Sequence, residues 1–183
     1  MIKRLFDISL AIVAIAIFSI PLLIISALLI IKEKHAILFK QARIGKDKQV
    51  FNILKFQTLV EEVPTRTGKV LRRTGLDELP QFFNVLKGEM SIVGPRALTQ
   101  ADIERLGWTS PYHEARWQVK PGITGFAQIY GGQHKKTSWF WDKKYLNQHS
   151  LFVDFGIILI SFLMNLFGKT KVRQVIFQKP HLQ

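Results

Sequence analysis

The stretch from Ile8 to Ile31, ISLAIVAIAIFSIPLLIISALLII, is almost uninterrupted apolar sequence, and it constrains the fold more than any other feature. About 20 apolar residues suffice to cross a bilayer, so length alone reads as a transmembrane helix. Pro21, near the middle of the run, argues otherwise. Proline has no N–H to offer the carbonyl of Ile17, and its ring forces a kink or break. Ser19 stands beside it and can satisfy a freed carbonyl where water is scarce. Both flanks are basic, with Lys3 and Arg4 before the run and Lys32 and Lys34 after it. The positive-inside tendency places both flanks on the cytoplasmic side. A helix that breaks at Pro21, dips into one leaflet and returns meets both demands. A kinked full span and a cleaved signal peptide are the alternatives, although the run is long for a signal and no Ala-x-Ala site follows it. Asp7 lies one turn from Lys3 and Arg4 and pairs with either at helical spacing, as an ordinary interfacial salt bridge.

The remainder reads as globular. A chain of 183 residues is long enough for one domain with a proper core. The predicted organisation is an anchor over residues 1–34 and a membrane-associated cytosolic domain over residues 35–183. Lys and Arg total 26 against 13 Asp and Glu, a formal charge of +13, which suits anionic partners: nucleic acid, anionic lipid or phosphorylated metabolites. The 48% hydrophobic content, with 14 Phe, excludes a disordered basic tail. The absence of cysteine excludes disulfides, thiolate zinc sites and cysteine nucleophiles. His113-Glu114 begins like a zinc-protease motif, but Trp117 occupies the place of the second histidine. Neither a Walker loop nor a Gly-x-Gly-x-x-Gly fingerprint is present, and no helix-turn-helix or RNA-binding signature supports nucleic acid as a partner.

Residues 37–56 alternate around Gly-Lys-Asp-Lys and predict a β-hairpin or two short strands. Leu59 to Lys69 reads as a polar loop, Thr99 to Gln118 as helical, KPGITGFAQI as a turn-rich loop and WFWDKKYLNQ as amphipathic. Leu151 to Phe167 is apolar but interrupted by Asp154 and Asn165, and reads as a core or interfacial helix.

The segment LDELPQFFNVLKGEMSIVGPR, Leu76 to Arg96, carries the chemistry. Leu79, Phe82, Phe83 and Leu86 fall on one helical face. Gly88 stops the helix after Lys87. Pro80 must lie in the first turn, so Asp77 is placed as a possible N-cap, with Glu78 favouring the positive helix end. The second reading starts from the arginines. Arg72 and Arg73 precede the two carboxylates, and Arg96 follows the apolar run EMSIV. If that run returns as a strand beside the helix start, three guanidiniums converge on Asp77 and Glu78. Guanidiniums bind phosphate bidentately, helix N-termini bind anions, and acidic groups among them hold a divalent metal bridging to the phosphates. A carboxylate with its pKa depressed by such neighbours stays ionised and can attack phosphorus.

KRLFDISLA, the serine–proline break, F-K-Q-A-R-I-G, KFQTL, LRRTGLDELPQFFNVLKGEMSIVGPR and KPGITGFAQI occur here in one order. In that order they resemble the bacterial sugar transferases, monotopic polyprenyl-phosphate phosphoglycosyl transferases that initiate glycoconjugate synthesis. The resemblance runs from about Lys3 to about Ile129, and is to the small members of the family. It implies an α+β, mainly helical fold: a broken re-entrant membrane helix plus a compact catalytic core with short strands and interfacial amphipathic helices. It implies a UDP-sugar donor and undecaprenyl phosphate as acceptor, with the phosphosugar carried on Asp77 between release of UMP and transfer. Glu78 is implied as the magnesium ligand. Arg72 and Arg96 are implied as phosphate-binding residues, with Arg73, Lys55 and Gln128 as further substrate contacts. A location on the cytoplasmic face of the bacterial inner membrane, in one leaflet, and a possible homodimer complete the expectation.

The sequence departs from the family pattern in places. Gln57 follows Lys55 and Phe56 where a second basic residue is usual, and the Leu59–Val70 loop is short. Ile20 separates the serine and proline, Phe126 replaces a tryptophan, and Tyr130, Gly131 and Gly132 replace Asn-Gly-Arg. His35, Ala36 and Ile37 stand where Gly-Pro is common. The competing readings are a non-enzymatic basic membrane adaptor and a catalytically degenerate member of the family.

Overall fold

The apolar run forms two helices, α1 (Ile2–Ile17) and α2 (Ser19–Leu28), the second continuing as a π-helical turn through Leu29–Glu33. The two arms bend by 59°. The break falls at Phe18 (φ −92°, ψ 11°), one turn before Pro21 rather than at it. A proline disturbs the carbonyl four residues back, so the ladder opens on its N-terminal side. Phe18 N still reaches Ala14 O at 2.8 Å, and Ser19 Oγ donates to Ala16 O at 2.8 Å rather than to Ile17 O, the carbonyl that Pro21 frees. No single described helix is long and apolar enough to cross a membrane; the bent pair together is, by length and composition. The structure is a computed structural model that describes residues 1–33, 36–130 and 135–177. The expectations placed on Lys34, His35, Gly131 and Gly132 lie outside the described residues.

The expected hairpin is present as β1 (Leu38–Ile44) and β2 (Val50–Phe56), antiparallel from Leu38↔Phe56 to Ile44↔Val50. The loop predicted from Leu59 to Lys69 is shorter than expected. It contains a small hairpin, β3 (Leu59–Val60) with β4 (Val63–Pro64), and then α3 (Arg66–Thr74). Thr65 caps that helix by accepting from Gly68 N at 3.0 Å, an N-cap signal hidden among polar residues.

A 3-10 turn (Leu76–Glu78) leads into α4 (Gln81–Lys87), which ends at Gly88 as predicted. Leu79 and Val85 are buried and Phe82 and Leu86 half-buried, but Phe83 is 42% exposed. The helical period counted from Leu79 is not sustained, because the first turn is 3-10 and α4 itself is short. β5 (Ser91–Val93) pairs in parallel with β6 (Gly122–Thr124), so the predicted loop KPGITGFAQI contains a strand and α6 (Phe126–Tyr130). A Cβ on Gly122 would lie 2.1 Å from Gly94 N, so only glycine permits this approach of the two chains.

The expected helix from Thr99 to Gln118 is divided. α5 (Gln100–Leu106) has a Thr99–Asp102 capping box and stops at Gly107; a 3-10 segment (Pro111–Gln118) follows. α7 (Lys135–Gln148), α8 (Leu151–Phe167) and α9 (Lys169–Phe177) complete the mainly helical fold.

The first 33 residues share their packing with the rest. Ala11 of α1 joins Val85, Met90, Val93 and Ile157; Ile25 and Leu29 join Phe56, Leu71 and Leu79. A polar network reinforces the seam. Asp7, 3% exposed, accepts from Ile92 N at 3.0 Å and from Ser91 Oγ at 2.9 Å. Lys3 Nζ lies 3.4 Å from Asp7 and 2.7 Å from the fully buried Asp154, and Arg4 donates to the carbonyls of Val85 and Leu86. The Lys3–Asp7 pairing is as expected from spacing. Its setting is not that of a simple interfacial bridge, because all three side chains are committed to the core. The tail docks likewise: Arg173 donates to Ile129 O at 2.8 Å and Gln128 O at 3.3 Å, while Lys171 is exposed.

Candidate active site

Asp77 and Glu78 lie in the 3-10 turn between α3 and α4, and Gly75 (φ 74°) lets the chain reverse into it. Asp77 is not the N-cap of α4. Pro80 holds that position, and no side-chain cap bond exists there. The residue Asp77 is 8% exposed, whereas the Glu78 side chain is 40% exposed.

Lys55, near the end of β2, reaches Glu78 Oε1 with Nζ at 2.6 Å. Its strand is locked to α4 by the fully buried Asn84, which accepts from Leu54 N at 2.9 Å and donates to Asn52 O at 2.8 Å. Sequence reading missed this residue, although an asparagine on the inner face of an amphipathic helix is itself a signal that a backbone needs a partner. Arg72, in the last turn of α3, donates from Nε to Thr58 Oγ1 at 2.9 Å and acts electrostatically on Asp77.

Burial and the adjacent Glu78 raise the Asp77 pKa above its ordinary value, and Lys55 and Arg72 pull it back only in part. This corrects the expectation of a depressed pKa: desolvation outweighs the cations. Burial therefore makes this carboxylate more basic than an ordinary aspartate.

Of the three arginines expected to converge, Arg72 does so. Arg73 is exposed and makes no described contact with the carboxylates. Arg96 is exposed, on the loop that follows β5, and it acts on Arg43, which in turn senses Glu78. Arg43, on β1, was not among the predicted residues. It lies two positions from Gln41 on the same strand face and donates to that side chain. Arg43 Nη1 also reaches Ala97 O at 3.2 Å and Asp102 Oδ2 at 3.4 Å. Lys55 and Arg72 are therefore the cations that act on Asp77, and Arg43 acts only at longer range, on Glu78.

Gln57 is turned away, donating to Leu59 O at 2.5 Å. Gln128 lies behind the Arg96 loop, with Nε2 3.5 Å from Gly122 O, and its buried Oε1 has no partner.

No cluster of three or more carboxylate or histidine side chains that could hold a metal is present among the described residues. Magnesium does not need one: it keeps several waters and takes one or two carboxylates together with substrate phosphates. The half-exposed Glu78 beside Asp77 fits that requirement.

The family model described as bacterial sugar transferase matches residues 1–168. The chain is 39% identical over 146 residues to the UDP-N-acetylgalactosamine-undecaprenyl-phosphate N-acetylgalactosaminephosphotransferase of Aeromonas hydrophila, covering 72% of this chain and 34% of that protein. It is 36% identical to the uncharacterized sugar transferase EpsL of Bacillus subtilis (strain 168), covering 87% and 84%. It is 39% identical to the UDP-glucose:undecaprenyl-phosphate glucose-1-phosphate transferase of Caulobacter vibrioides, covering 70% and 54%. The chain thus spans about a third of the Aeromonas relative, about half of the Caulobacter one and most of the Bacillus one.

Proposed function

Because the chain belongs to the bacterial sugar transferase family, we propose that it transfers a sugar-1-phosphate from a UDP-sugar to undecaprenyl phosphate, releasing UMP. The observation that carries this reading is the buried Asp77 carboxyl, held beside Glu78 and acted on by Lys55 and Arg72. Such a carboxylate has no need of these neighbours as a helix cap, and it is not one.

In the first step an Asp77 oxygen attacks the phosphorus that bears the sugar. The phosphoanhydride bond breaks, UMP leaves with its electron pair, and an aspartyl phosphosugar remains. In the second step an oxygen of undecaprenyl phosphate attacks the same phosphorus, and the acyl–phosphate bond breaks to return the Asp77 carboxylate. Lys55, Arg72 and Arg96 hold the phosphate charge that the approaching carboxylate would otherwise repel. Glu78 is the side chain that would hold magnesium, with Lys55 sharing its other oxygen. Magnesium bound there supplies charge neutralisation at the diphosphate.

The polyprenyl acceptor requires access from lipid. The arms α1 and α2 expose Ile12, Val13, Ile17, Ile20, Leu23 and Ile24; α8 exposes Phe152, Phe155, Leu159, Phe162 and Leu166. Apolar surface on this scale marks a membrane contact rather than an ordinary soluble face. With both flanks basic, the bent pair enters and leaves one leaflet on the cytoplasmic side.

Incubation with a UDP-sugar and magnesium, without acceptor, tests the covalent route. One equivalent of UMP and a phosphosugar mass on the peptide carrying Asp77 are expected. UMP that appears only when undecaprenyl phosphate is added would replace the two-step route with direct transfer.

A further inference from the structure

Four successive carbonyls in the loop that carries Arg96 each accept from a different donor. Pro95 O takes Gly122 N at 2.8 Å and Leu98 O takes Ile44 N at 2.9 Å. Ala97 O takes Arg43 Nη1 at 3.2 Å, and Arg96 O takes Arg116 Nη2. The Arg96 side chain is exposed and makes no described hydrogen bond or ion pair. The loop's backbone is pinned while the one guanidinium it presents stays available.

Arg116 is an unusual choice of pin. It is 3% exposed and forms an ion pair from Nε to Asp142 Oδ2 of α7 at 2.8 Å, with both side chains 2% exposed. Its guanidinium lies 5.3 Å from the Trp108 ring and 5.0 Å from the Trp117 ring. A pair this deep contributes little net stability compared with apolar residues of the same volume. What the apolar residues would lack is a donor for Arg96 O. The fixed fork of arginine serves both partners at once: Nε on the carboxylate and Nη2 on the carbonyl.

We propose that the Arg116–Asp142 pair is a positioning device for Arg96, fixing the backbone from which that side chain reaches the substrate phosphate. This rests on the reading of Arg96 as a phosphate ligand. Arg116 touches no substrate and is a positioning residue. A displacement of about 1 Å at a reacting centre costs about a hundredfold in rate, so the orientation of one peptide group is worth a buried charge.

A double-mutant cycle separates positioning from general structure. Arg116→Met with Asp142→Leu replaces the pair by apolar side chains; Arg96→Ala removes the group it would position. kcat and KM for the UDP-sugar are measured for parent, paired swap, Arg96→Ala and the triple variant, each checked by thermal unfolding. The paired swap is expected to unfold near the parental temperature and to lose between tenfold and a hundredfold in kcat/KM. In the Arg96→Ala background the same swap is expected to change kcat/KM less than twofold. Arg116→Lys keeps the charge beside Asp142 but not the two-pronged reach. It is run in both backgrounds with the same pattern expected, and it carries the test should the paired swap fail to fold.

Equal losses in both backgrounds would overturn the proposal and make the pair purely structural. Parental activity in the swap beside an impaired Arg96→Ala would overturn the positioning role alone. Parental activity in Arg96→Ala itself would remove Arg96 from the site, and the positioning role with it.

Discussion

Asp77 carries opposite demands of stability and chemistry. Its pKa in the folded chain is raised, so the folded state binds that proton more tightly than the unfolded chain does. The stabilisation from the protonated form is complete below the unfolded pKa and is lost as pH rises through the folded one. At neutral pH the ionised Asp77 therefore weakens the fold. Asp77→Asn should abolish transfer and raise the melting temperature at pH 7, with the gain shrinking toward pH 4; thermal unfolding at both values measures it. A gain of the same size at both would contradict the assignment. In the proposed mechanism the ionised form attacks, so kcat/KM should fall on acidification from a point above the ordinary aspartate value of 3.8. Asp77 and Glu78 stood out as candidates because Asp-Glu, the arginines and Gly-Pro-Arg come in a fixed order. The pKa direction was not legible, since it depends on how deeply the turn is buried. Arg43 was missed because its proximity to Glu78 depends on how the hairpin lies across the site.

The helical hairpin and the seam beneath it behave as elements. Pro21→Ala should restore the missing donor to Ile17 O and straighten the bend of 59°. The chain has no native cysteine, so single cysteines placed at Ile2 and at Lys32 report topology without background. In the parent both flanks should label from the cytoplasmic side; in Pro21→Ala the Lys32 position should become protected or cross over. At the seam, Asp154→Ala strips Lys3 of its shorter partner and the buried Tyr145 hydroxyl of an acceptor, and costs on the order of 3 kcal/mol, read as a denaturant midpoint. An exposed pair would cost well under 1 kcal/mol, so the result decides whether Asp154 anchors a buried network or a surface bridge. The sequence showed a broken helix and a Lys3–Asp7 pair. It did not show Asp154, 147 or more positions away from both partners, because helical spacing reports neighbours along one helix and says nothing of contacts between helices. The division at Gly107 and the strand within KPGITGFAQI were obscured similarly: a three-residue parallel strand is too short to carry a period.

At the scale of the whole molecule, the net charge of +13 and the exposed faces of α1, α2 and α8 act together. Binding to vesicles containing anionic lipid should exceed binding to neutral vesicles and weaken with added salt. Phe155→Glu with Phe162→Glu on α8 should reduce binding at every salt concentration, as measured by flotation. The class of the fold, mainly helical with short strands, followed from the family resemblance, while periodicity and the apolar run marked single elements; the assembly of β5, β6 and the Arg96 loop was not legible, because it is set by close backbone approach at Gly122 rather than by side-chain pattern. The central proposal is that Asp77 makes this chain a phosphoglycosyl transferase. The most direct measurement is UMP release and lipid-linked product formation by the purified protein with undecaprenyl phosphate, magnesium and a panel of UDP-sugars, beside an Asp77→Asn control. Release with at least one donor, lost without magnesium and lost in Asp77→Asn, is the predicted result. Release undiminished in Asp77→Asn, or none with any donor from a folded, membrane-bound protein, would contradict it.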